Sequence, residues 1–349
     1  MAATPAGPVD DHGRRLLLLA GGIRLAWIVH TLCELGVAER IAAEPTSAED
    51  LAKAVGADGD ALYRVLRAAA AVGIFTEGSD GRFAMTPLAE GLRTDVPQSI
   101  VPLIRYNGVE TLWRPYAKLA HSVRTGEPAV EEALGLPLWD YLDAHPSTGA
   151  FFDEVMGKMS GRLIDQQLDV IAPERFRRVV DVGGGTGRFL SAVVRRMPEG
   201  GGVLFERQSV LERARELLEQ EDLADRVELR AGDFRADPVP ADGDAYLLRG
   251  VLHNWPDKDA AMILHGVRAA IGDRDAQLFL FEQVVDDTNA WDHAKFLDVD
   301  MLAIFGGRER TLAEWRTLLG EAGFELASEP SSGRWTVLTC RPIPWRGTS

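Results

Sequence analysis

The N-terminal third of the chain alternates hydrophobic and polar positions with the spacing of short helices. A capping-box-like start at Thr46–Asp50 predicts a helix, and a strongly helical segment follows from Ala61 to Val72. Two short runs, Ile74–Thr76 and Arg82–Met85, then predict a hairpin. Helix, turn, helix and hairpin form a winged-helix-like pattern. Before it, one apolar helical face is predicted from Leu25, Ile28, Val29, Leu32, Leu35 and Val37.

From about Phe176 onward, short apolar runs alternate with helical segments. This alternation predicts an α/β fold, with a Rossmann-like, mostly parallel seven-stranded sheet, helices on both faces and ligands at the carboxyl ends of the strands. Before it, Ser99 to about Asp169 is predicted to be helical and carries many large apolar side chains. The predicted strands are Arg178–Val182, Gly202–Phe205, Val227–Ala231, Ala245–Leu248, Gln277–Glu282, Phe324–Ser328 and Trp335–Thr339.

A glycine-rich loop, Gly183–Gly187, follows the first of these strands and leads into a predicted helix at Arg188–Arg196. Glycines let the backbone approach a nucleotide cofactor closely. Asp181, just before the loop, can hold the amino group of an amino-acid moiety but would repel a pyrophosphate. Glu206, at the end of the next strand, can accept both hydrogen bonds of a ribose diol. Together these residues favour S-adenosylmethionine over NAD.

Composition and charge narrow the class of protein. The 349 residues include 38 basic and 53 acidic side chains, a net charge of −15, which argues against a nucleic-acid partner. Cys33 and Cys340 form no disulfide framework or metal motif and fit a cytoplasmic protein. Polar residues interrupt the apolar stretch Leu16–Leu35, which predicts a helix buried against a partner subunit rather than a membrane span. Met1–Asp11 and the tail after Pro342 are predicted to be disordered.

Two further motifs follow strands of the predicted sheet. In Gly232-Asp233-Phe234, Asp233 can accept a hydrogen bond from an adenine amine while Phe234 packs on the ring; an Asx turn with a core phenylalanine is the alternative. His253 comes just beyond the fourth strand, on the side where a cofactor would lie. It is a candidate general base, with a capping or core histidine as the alternative. His265 and His293 are not spaced with it as a ligand set, so we expect no metal.

Several of these motifs, in this order, resemble the class I S-adenosylmethionine-dependent O-methyltransferases of plant phenolic and bacterial natural-product metabolism. The resemblance covers nearly the whole chain and rests on Asp181–Gly187, Gly232-Asp233-Phe234, Leu252-His253-Asn254-Trp255 and Gly306-Gly307-Arg308-Glu309-Arg310-Thr311. It implies that His253 is the catalytic base and that Glu282 and Glu309 flank it. It also implies that the N-terminal module forms an intertwined homodimer.

The chain departs from the family pattern at three places. Glu206-Arg207-Gln208 stands where Asp-Leu-Pro is common, so the ribose carboxylate is one methylene longer. Arg249 replaces a frequent lysine and retains a donor of different shape. Asn254 stands where many relatives carry aspartate, so a carboxylate is lost there.

We therefore predict an S-adenosylmethionine-dependent O-methyltransferase that methylates a hydroxyl, expected to be phenolic, of a small aromatic secondary metabolite and releases S-adenosylhomocysteine. Three domains are predicted: a winged-helix-like dimerisation domain (1–98), a helical linker that contributes to the substrate pocket (99–168) and a cofactor-binding catalytic domain (169–349). The predicted cofactor contacts are Asp181, Gly183, Gly185, Glu206, Gly232, Asp233, Phe234 and Arg249. The predicted acceptor contacts are Trp113, Phe152, Met156, Asn254, Met301 and Phe305.

Two other functions stay open at this point. One is a relative that keeps the cofactor but acts as a keto-acid C-methyltransferase, a decarboxylase or a hydroxylase. Asn254 and Phe305 stand where a metal-assisted C-methyltransferase would need further ligands. The other is a non-enzymatic winged-helix regulator, which the acidic charge disfavours. Phenolic acids, polyketides, phenazines and indoles are all compatible with the predicted pocket.

Overall fold

The computed structural model of the chain describes residues 11–161, 163–328 and 335–344. The chain divides between Trp113 and Arg114 into two compact units. The N-terminal arm predicted to be disordered lies outside the described residues except for Asp11, where the first helix begins. The predicted disordered tail also lies outside them, except for Ile343 and Pro344.

The first unit is mainly helical. Ser47 and Asp58 accept hydrogen bonds from the backbone N–H groups of Asp50 and Ala61, and these caps define where two of its helices begin. The predicted helix, turn, helix and hairpin are all present. Its helices are α1 (Asp11–Ala20), α2 (Gly22–Glu34), α3 (Val37–Ala43), α4 (Ala48–Val55), α5 (Gly59–Ala71) and α6 (Val101–Asn107). Its strands, paired in the order β1-β3-β2, are β1 (Thr46–Ser47), β2 (Phe75–Glu77) and β3 (Arg82–Met85).

The apolar face predicted between Leu25 and Val37 is divided between α2 and α3. Gly36 adopts a left-handed conformation, with φ of 62°, which ends α2 and turns the chain into α3. α1 carries its leucines outward, with Leu16, Leu17 and Leu19 exposed by 67%, 63% and 68%. Among the described residues, no single helix has the length and apolar composition of a membrane span. The segments 12–20 and 22–34, bent by 60°, meet those criteria only as a pair and only by length and composition.

The segment predicted to be helical between Ser99 and Asp169 consists of α6 and the next helices along the chain. Short turns separate them, several of which contain a glycine in the left-handed region, such as Gly126 and Gly135. These helices are α7 (Glu110–Tyr116), α8 (Leu119–Thr125), α9 (Val130–Leu134), α10 (Leu138–Ala144), α11 (Pro146–Gly161) and α12 (Ile164–Ile171).

The second unit contains a seven-stranded sheet within its described residues, in the order β11-β12-β8-β7-β4-β5-β6. Its strands are β4 (Arg178–Val182), β5 (Gly201–Glu206), β6 (Val227–Ala231), β7 (Ala245–Arg249), β8 (Gln277–Glu282), β11 (Phe324–Leu326) and β12 (Thr336–Pro342); β9 (Val284–Val285) pairs separately with β10 (Arg310–Thr311). The helices of this region are α13 (Arg188–Arg196), α14 (Gln208–Gln220), α15 (Asp257–Ile271), α16 (His293–Asp300) and α17 (Leu312–Glu321). β6, β5, β4, β7 and β8 are mutually parallel, and β12 runs antiparallel to β8. The predicted fold class is confirmed.

Hydrophobic cores cover both faces of this sheet. The central strands β4, β5, β7 and β8 are therefore mostly apolar, with polar side chains near their ends. Asp181, Glu206, Arg249 and Glu282 lie in the last two positions of β4, β5, β7 and β8. Because these strands are parallel neighbours, the four side chains share one edge of the sheet.

Candidate active site

Asp181 lies beneath the glycine-rich loop. It is completely buried, and neither carboxylate oxygen has a hydrogen-bond partner in the part of the chain that the structure describes. Burial raises the pKa of Asp181 to about 7; the positive charge of Arg249 acts against this rise, and the negative charge of Glu206 adds to it. A Cβ at Gly184 would overlap Asp181 Oδ2, so the loop can cover the carboxylate only with glycine at this position.

Glu206 joins the glycine loop to the end of β5. Its Oε2 accepts a hydrogen bond from the Gly185 backbone N–H at 3.1 Å, and its Oε1 accepts one from Arg207 N–H at 2.8 Å. Gly183 and Gly185 have φ values of 72° and 58°, which disfavour any other residue. A buried acid without a partner, beside a second acid and an open glycine loop, fits an ammonium group and a ribose diol.

Gly232-Asp233-Phe234 lies on the other side of the loop. The Phe234 ring edge is 3.1 Å from the position that a Cβ on Gly183 would occupy, so the ring faces the cradle. Asp233 forms the alternative Asx turn: its Oδ1 accepts from Arg235 N–H at 2.9 Å, and its Oδ2 pairs with the Arg235 guanidinium at 2.9 Å. Its side chain is 41% exposed, so one carboxylate can serve both this turn and a ligand.

His253 is buried in a short 3-10 turn just after β7. Its Nδ1 is 2.8 Å from Glu309 Oε1 and 3.9 Å from Glu282 Oε2. Glu282 is held in turn, since its Oε1 accepts from the backbone N–H groups of Val251 and Leu252 at 3.2 and 2.9 Å. The structure thus brings together the histidine and the two acids that the family resemblance implied. With Nδ1 bound to Glu309, Nε2 is the nitrogen left for chemistry.

The two carboxylates beside His253 raise its pKa. Burial alone lowers the pKa of His253, but the charges of Glu309 and Glu282 and hydrogen bonds to Glu309 and the Gly250 backbone raise it to about 9. Burial raises the pKa of Glu282 to about 7, although the His253 charge opposes the rise. His253 is therefore a stronger base than an ordinary histidine.

Two residues that sequence reasoning missed hold this turn in place. Arg310 is fully buried, and its guanidinium donates to Asp257 at 2.9 Å and to the carbonyl oxygens of Leu252 and Trp255 at 3.2 and 3.0 Å. A Cβ on Gly307 would overlap the His253 carbonyl oxygen. Both residues lie in the Gly306–Thr311 motif. An arginine next to a glutamate in sequence suggests a surface ion pair rather than a buried group that holds a turn.

Most of the predicted acceptor residues lie in the second unit. Trp139 forms ring contacts with Phe152 and Phe305, at centroid distances of 6.0 and 5.7 Å. Met301 is buried, whereas Met156 is half-buried. Asn254 is also half-buried and donates to the Gly250 carbonyl oxygen at 3.0 Å.

Trp113 lies in the first unit, where its ring contacts Trp27 at 6.2 Å. Trp139, which links two predicted pocket residues, was not assigned to the pocket from sequence. Its position depends on the packing of α10, which no local pattern reveals. The turn from Met301 to Phe305 is π-helical, a geometry that often occurs at functional sites.

No group of three or more His, Cys, Asp or Glu side chains in the described residues is arranged to hold a metal ion. A mostly parallel sheet with a buried acid before a glycine loop, and a His–Glu pair at the same edge, defines a methyltransferase of the S-adenosylmethionine-dependent class. Comparison with known proteins defines the family. Residues 116–325 match the O-methyltransferase domain, and residues 17–95 match the O-methyltransferase dimerisation domain.

Curated relatives resemble the chain over nearly its full length. A phenazine O-methyltransferase of Lysobacter antibioticus is 35% identical over 329 residues, covering 94% of this chain and 96% of the relative. An 8-amino-8-demethylriboflavin N,N-dimethyltransferase of Streptomyces davaonensis is 35% identical over 338 residues, 96% of each chain.

Solved structures give the same result. An O-methyltransferase from neocarzinostatin biosynthesis, crystallised with S-adenosylmethionine and 2-hydroxy-5-methyl naphthoic acid, has a TM-score of 0.77 and 30% identity, covering 92% of this chain and 96% of its own. The chain belongs to the S-adenosylmethionine-dependent O-methyltransferase family, and S-adenosylmethionine is its methyl donor. The predicted enzyme class and cofactor are confirmed, whereas the domain boundaries and the individual site residues stay predictions.

Proposed function

We propose that this enzyme methylates a phenolic hydroxyl of a small aromatic secondary metabolite, with His253 as the general base. The observation that carries the proposal is the 2.8 Å contact between His253 Nδ1 and Glu309 in a buried site backed by Glu282. This contact fixes the tautomer of the neutral imidazole: Nδ1–H donates a hydrogen bond to Glu309, which leaves Nε2 able to take a proton from the acceptor.

The pKa of His253 suits a phenol. A phenol has a pKa of about 10 and is a poor nucleophile at neutral pH. Because the pKa of His253 is raised to about 9, proton transfer from the phenol to Nε2 is nearly balanced. A positioned base of this kind contributes roughly 10²–10⁴-fold. Glu309 and Glu282 stabilise the imidazolium that forms.

S-adenosylmethionine, when bound, supplies an electrophilic methyl group to the acceptor oxygen. The chain's own contribution is to hold the two reactants in line, which can lower the barrier by roughly 7–11 kcal/mol. Asp181 would hold the donor's amino group and Glu206 its ribose diol, while Phe234 packs on the adenine and Asp233 accepts from its amine. Gly185, where an added Cβ would meet no other atom within 4 Å, would leave room for the donor. A Cβ on Gly232 would overlap the Phe205 ring, and one on Gly183 would approach Phe234 to 3.1 Å, so these two glycines would shape the cradle. Arg249 would offset the negative charge of Asp181.

The acceptor would lie among the rings of Trp139, Phe152 and Phe305, which suit a flat aromatic molecule. Met156, Met301 and Asn254 complete the proposed contacts with the acceptor. Trp113 is also proposed to contact the acceptor. Phenazine and naphthoic acid acceptors in the names of relatives support this choice of substrate class. The relative that dimethylates an aromatic amine makes N-methylation the second candidate.

The dimerisation domain supports a homodimer formed through the first unit. The exposed leucines of α1 supply the apolar surface that such an interface requires. We also propose a cytoplasmic enzyme without a nucleic-acid or membrane partner. Size-exclusion chromatography with light scattering would test the dimer, and a single species with the mass of one chain would contradict it.

The proposed activity is tested with S-adenosylmethionine labelled in its methyl group and a panel of phenols, hydroxynaphthoates, hydroxyphenazines and their amino analogues. We expect label on a hydroxyl oxygen of at least one acceptor, located by mass spectrometry and NMR. Label on nitrogen alone would favour the second candidate. An acceptor that gains oxygen or loses carboxylate without gaining a methyl group would overturn the proposal.

A further inference from the structure

Trp335 lies against the proposed base, yet the mechanism above gives it no role. It precedes β12, whose first residue, Thr336, is in register with Glu282 at the end of β8. Trp335 therefore lies at the carboxyl edge of the sheet, where the catalytic carboxylates are. Its ring and the imidazole of His253 form an edge-to-face pair, with centroids 5.6 Å apart and planes inclined by 71°.

The backbone of Trp335 has a conformation that its surroundings must maintain. Its φ is 56°, in the left-handed region that bulky residues rarely adopt. Gln167, itself buried, donates from Nε2 to the Trp335 carbonyl oxygen at 3.4 Å and accepts from Arg249 Nε at 2.9 Å. The Arg249 guanidinium lies over the ring of Phe189 at 4.7 Å. Side chains from two further elements, α12 and β7, thus hold the backbone of Trp335 in place.

Gly250 shows how closely the indole approaches the reactive nitrogen. A Cβ on Gly250 would be 3.3 Å from Trp335 Cζ3 and Cη2 and 3.6 Å from His253 Nε2. The indole edge and Nε2 therefore border the same small space. Hydrogen bonds to Glu309 and to the Gly250 backbone hold atoms of the imidazole, but they do not pack against the ring. A rigid aromatic ring in contact with the imidazole restricts the tilt of its plane.

We propose that Trp335 is a positioning residue, whose indole ring fixes the plane of the His253 imidazole so that Nε2 faces the acceptor oxygen. The inference rests on the proposed function of His253 as general base. The charged groups that face His253 are Glu309 and Glu282, with Arg310 behind Glu282. Trp335 adds no charge to this set, so it acts through shape.

Three variants test this role. Trp335→Ala should lower kcat roughly 10- to 100-fold, the scale expected when a reacting group moves by about 1 Å. Trp335→Phe retains an aromatic edge and should recover most of that loss. Gln167→Leu removes the hydrogen bond that holds the Trp335 backbone and should also lower kcat. Trp291→Ala, at a tryptophan 77% exposed in the same unit, is the matched control and should leave kcat unchanged.

A double-mutant cycle separates positioning from a general structural role. If Trp335 acts through His253, Trp335→Ala should change kcat less than two-fold in a His253→Gln background, because no base is left to misalign. S-adenosylmethionine affinity, measured by calorimetry without acceptor, should stay within two-fold of the wild type in both backgrounds. If Trp335→Ala fails to fold, the same cycle is run with Trp335→Leu, which fills space but lacks the rigid ring, with the same expected outcome.

Different results would overturn the positioning role of Trp335 and the role of His253 as base. Equal losses from Trp335→Ala with and without His253 would overturn the positioning role, as would a Trp335→Phe variant as slow as Trp335→Ala. If His253→Gln turns over a phenol of pKa about 10 at the wild-type rate, the proposed base is wrong, and the positioning role is overturned with it.

Discussion

Asp181→Asn should stabilise the cofactor-free protein while weakening its affinity for S-adenosylmethionine. The carboxylate is fully buried, and neither oxygen has a hydrogen-bond partner within the described residues. Its pKa rises from 3.8 to about 7 on folding, mainly because of burial. At about 1.4 kcal/mol per pKa unit, this corresponds to about 4 kcal/mol of destabilisation above pH 7. Burying the amide costs about 1–3 kcal/mol, which leaves a net gain of roughly 1–3 kcal/mol.

The pH dependence of this effect has a defined sign. A carboxyl group whose pKa is higher in the folded state destabilises the protein as it ionises. The stability that this group contributes is therefore present below pH 4 and is lost as the pH rises to about 7. The variant escapes this loss, so its advantage over the wild type should be largest at pH 8. Towards pH 4 the advantage should turn into a deficit, because only the burial cost of the amide remains.

The assay is urea or thermal unfolding of cofactor-free protein between pH 5 and 8, combined with calorimetric titration of S-adenosylmethionine at pH 8. Loss of a charged hydrogen bond of about 1.5–3 kcal/mol should weaken binding roughly 10- to 150-fold. Asp244→Asn is the matched control, because Asp244 accepts from the backbone N–H groups of Arg177 and Arg178 and should lose stability on substitution. An Asp181→Asn protein that is less stable at pH 8 and binds the donor normally would refute the reasoning.

Three further predictions concern the base, its support and the assembly. Glu282→Gln removes one of the carboxylates that raise the pKa of His253, so the acid limb of the pH–rate profile should move down by about one to three pH units. An acid limb at the wild-type pH would show that Glu282 does not raise the pKa of His253. Gly307→Ala should displace the His253 carbonyl and lower kcat roughly 10- to 100-fold with unchanged donor affinity. Gly320→Ala is the control and should be neutral, because no atom lies within 4 Å of the added Cβ. Equal rates in the two variants would contradict the role of Gly307 in holding the His253 turn. Leu17→Glu on α1 should shift the mass measured by light scattering towards one chain, and a stable dimer would place the interface elsewhere.

The centre of the sheet was largely predictable from sequence, because its strands are buried on both faces. The strands β4 and β8 are short, mostly apolar runs with polar residues near their ends, and their observed bounds coincide with the predicted ones. The edge strand β6 alternates apolar and polar residues, and its bounds also coincide with the prediction. The strand β12 was placed less well. β12 was predicted at Trp335–Thr339 but extends from Thr336 to Pro342, because its pairing with β8 and β11 continues beyond the apolar run.

Some site residues were predictable because a charged or titratable side chain at the end of a buried strand usually binds a ligand or takes part in catalysis. Asp181 and His253 could be named in this way, whereas Glu282 and Glu309 were implied by the family resemblance. The structure brings His253, Glu282 and Glu309 together. The residues that hold the His253 turn, Arg310 and Gly307, could not be predicted, because their roles depend on tertiary packing. Arg310 resembles a surface charge in the sequence but is fully buried.

The most direct test of His253 as the base compares wild type with His253→Gln across phenols of graded acidity. The His253→Gln variant depends on acceptor that has already ionised, so its kcat should fall steeply as the phenol pKa rises from about 7 to 10. The wild-type kcat should change little over that range. The account therefore predicts a rate ratio, wild type over variant, that grows from near unity to roughly 10²–10⁴ with increasing phenol pKa. A ratio that stays constant across the series would contradict it.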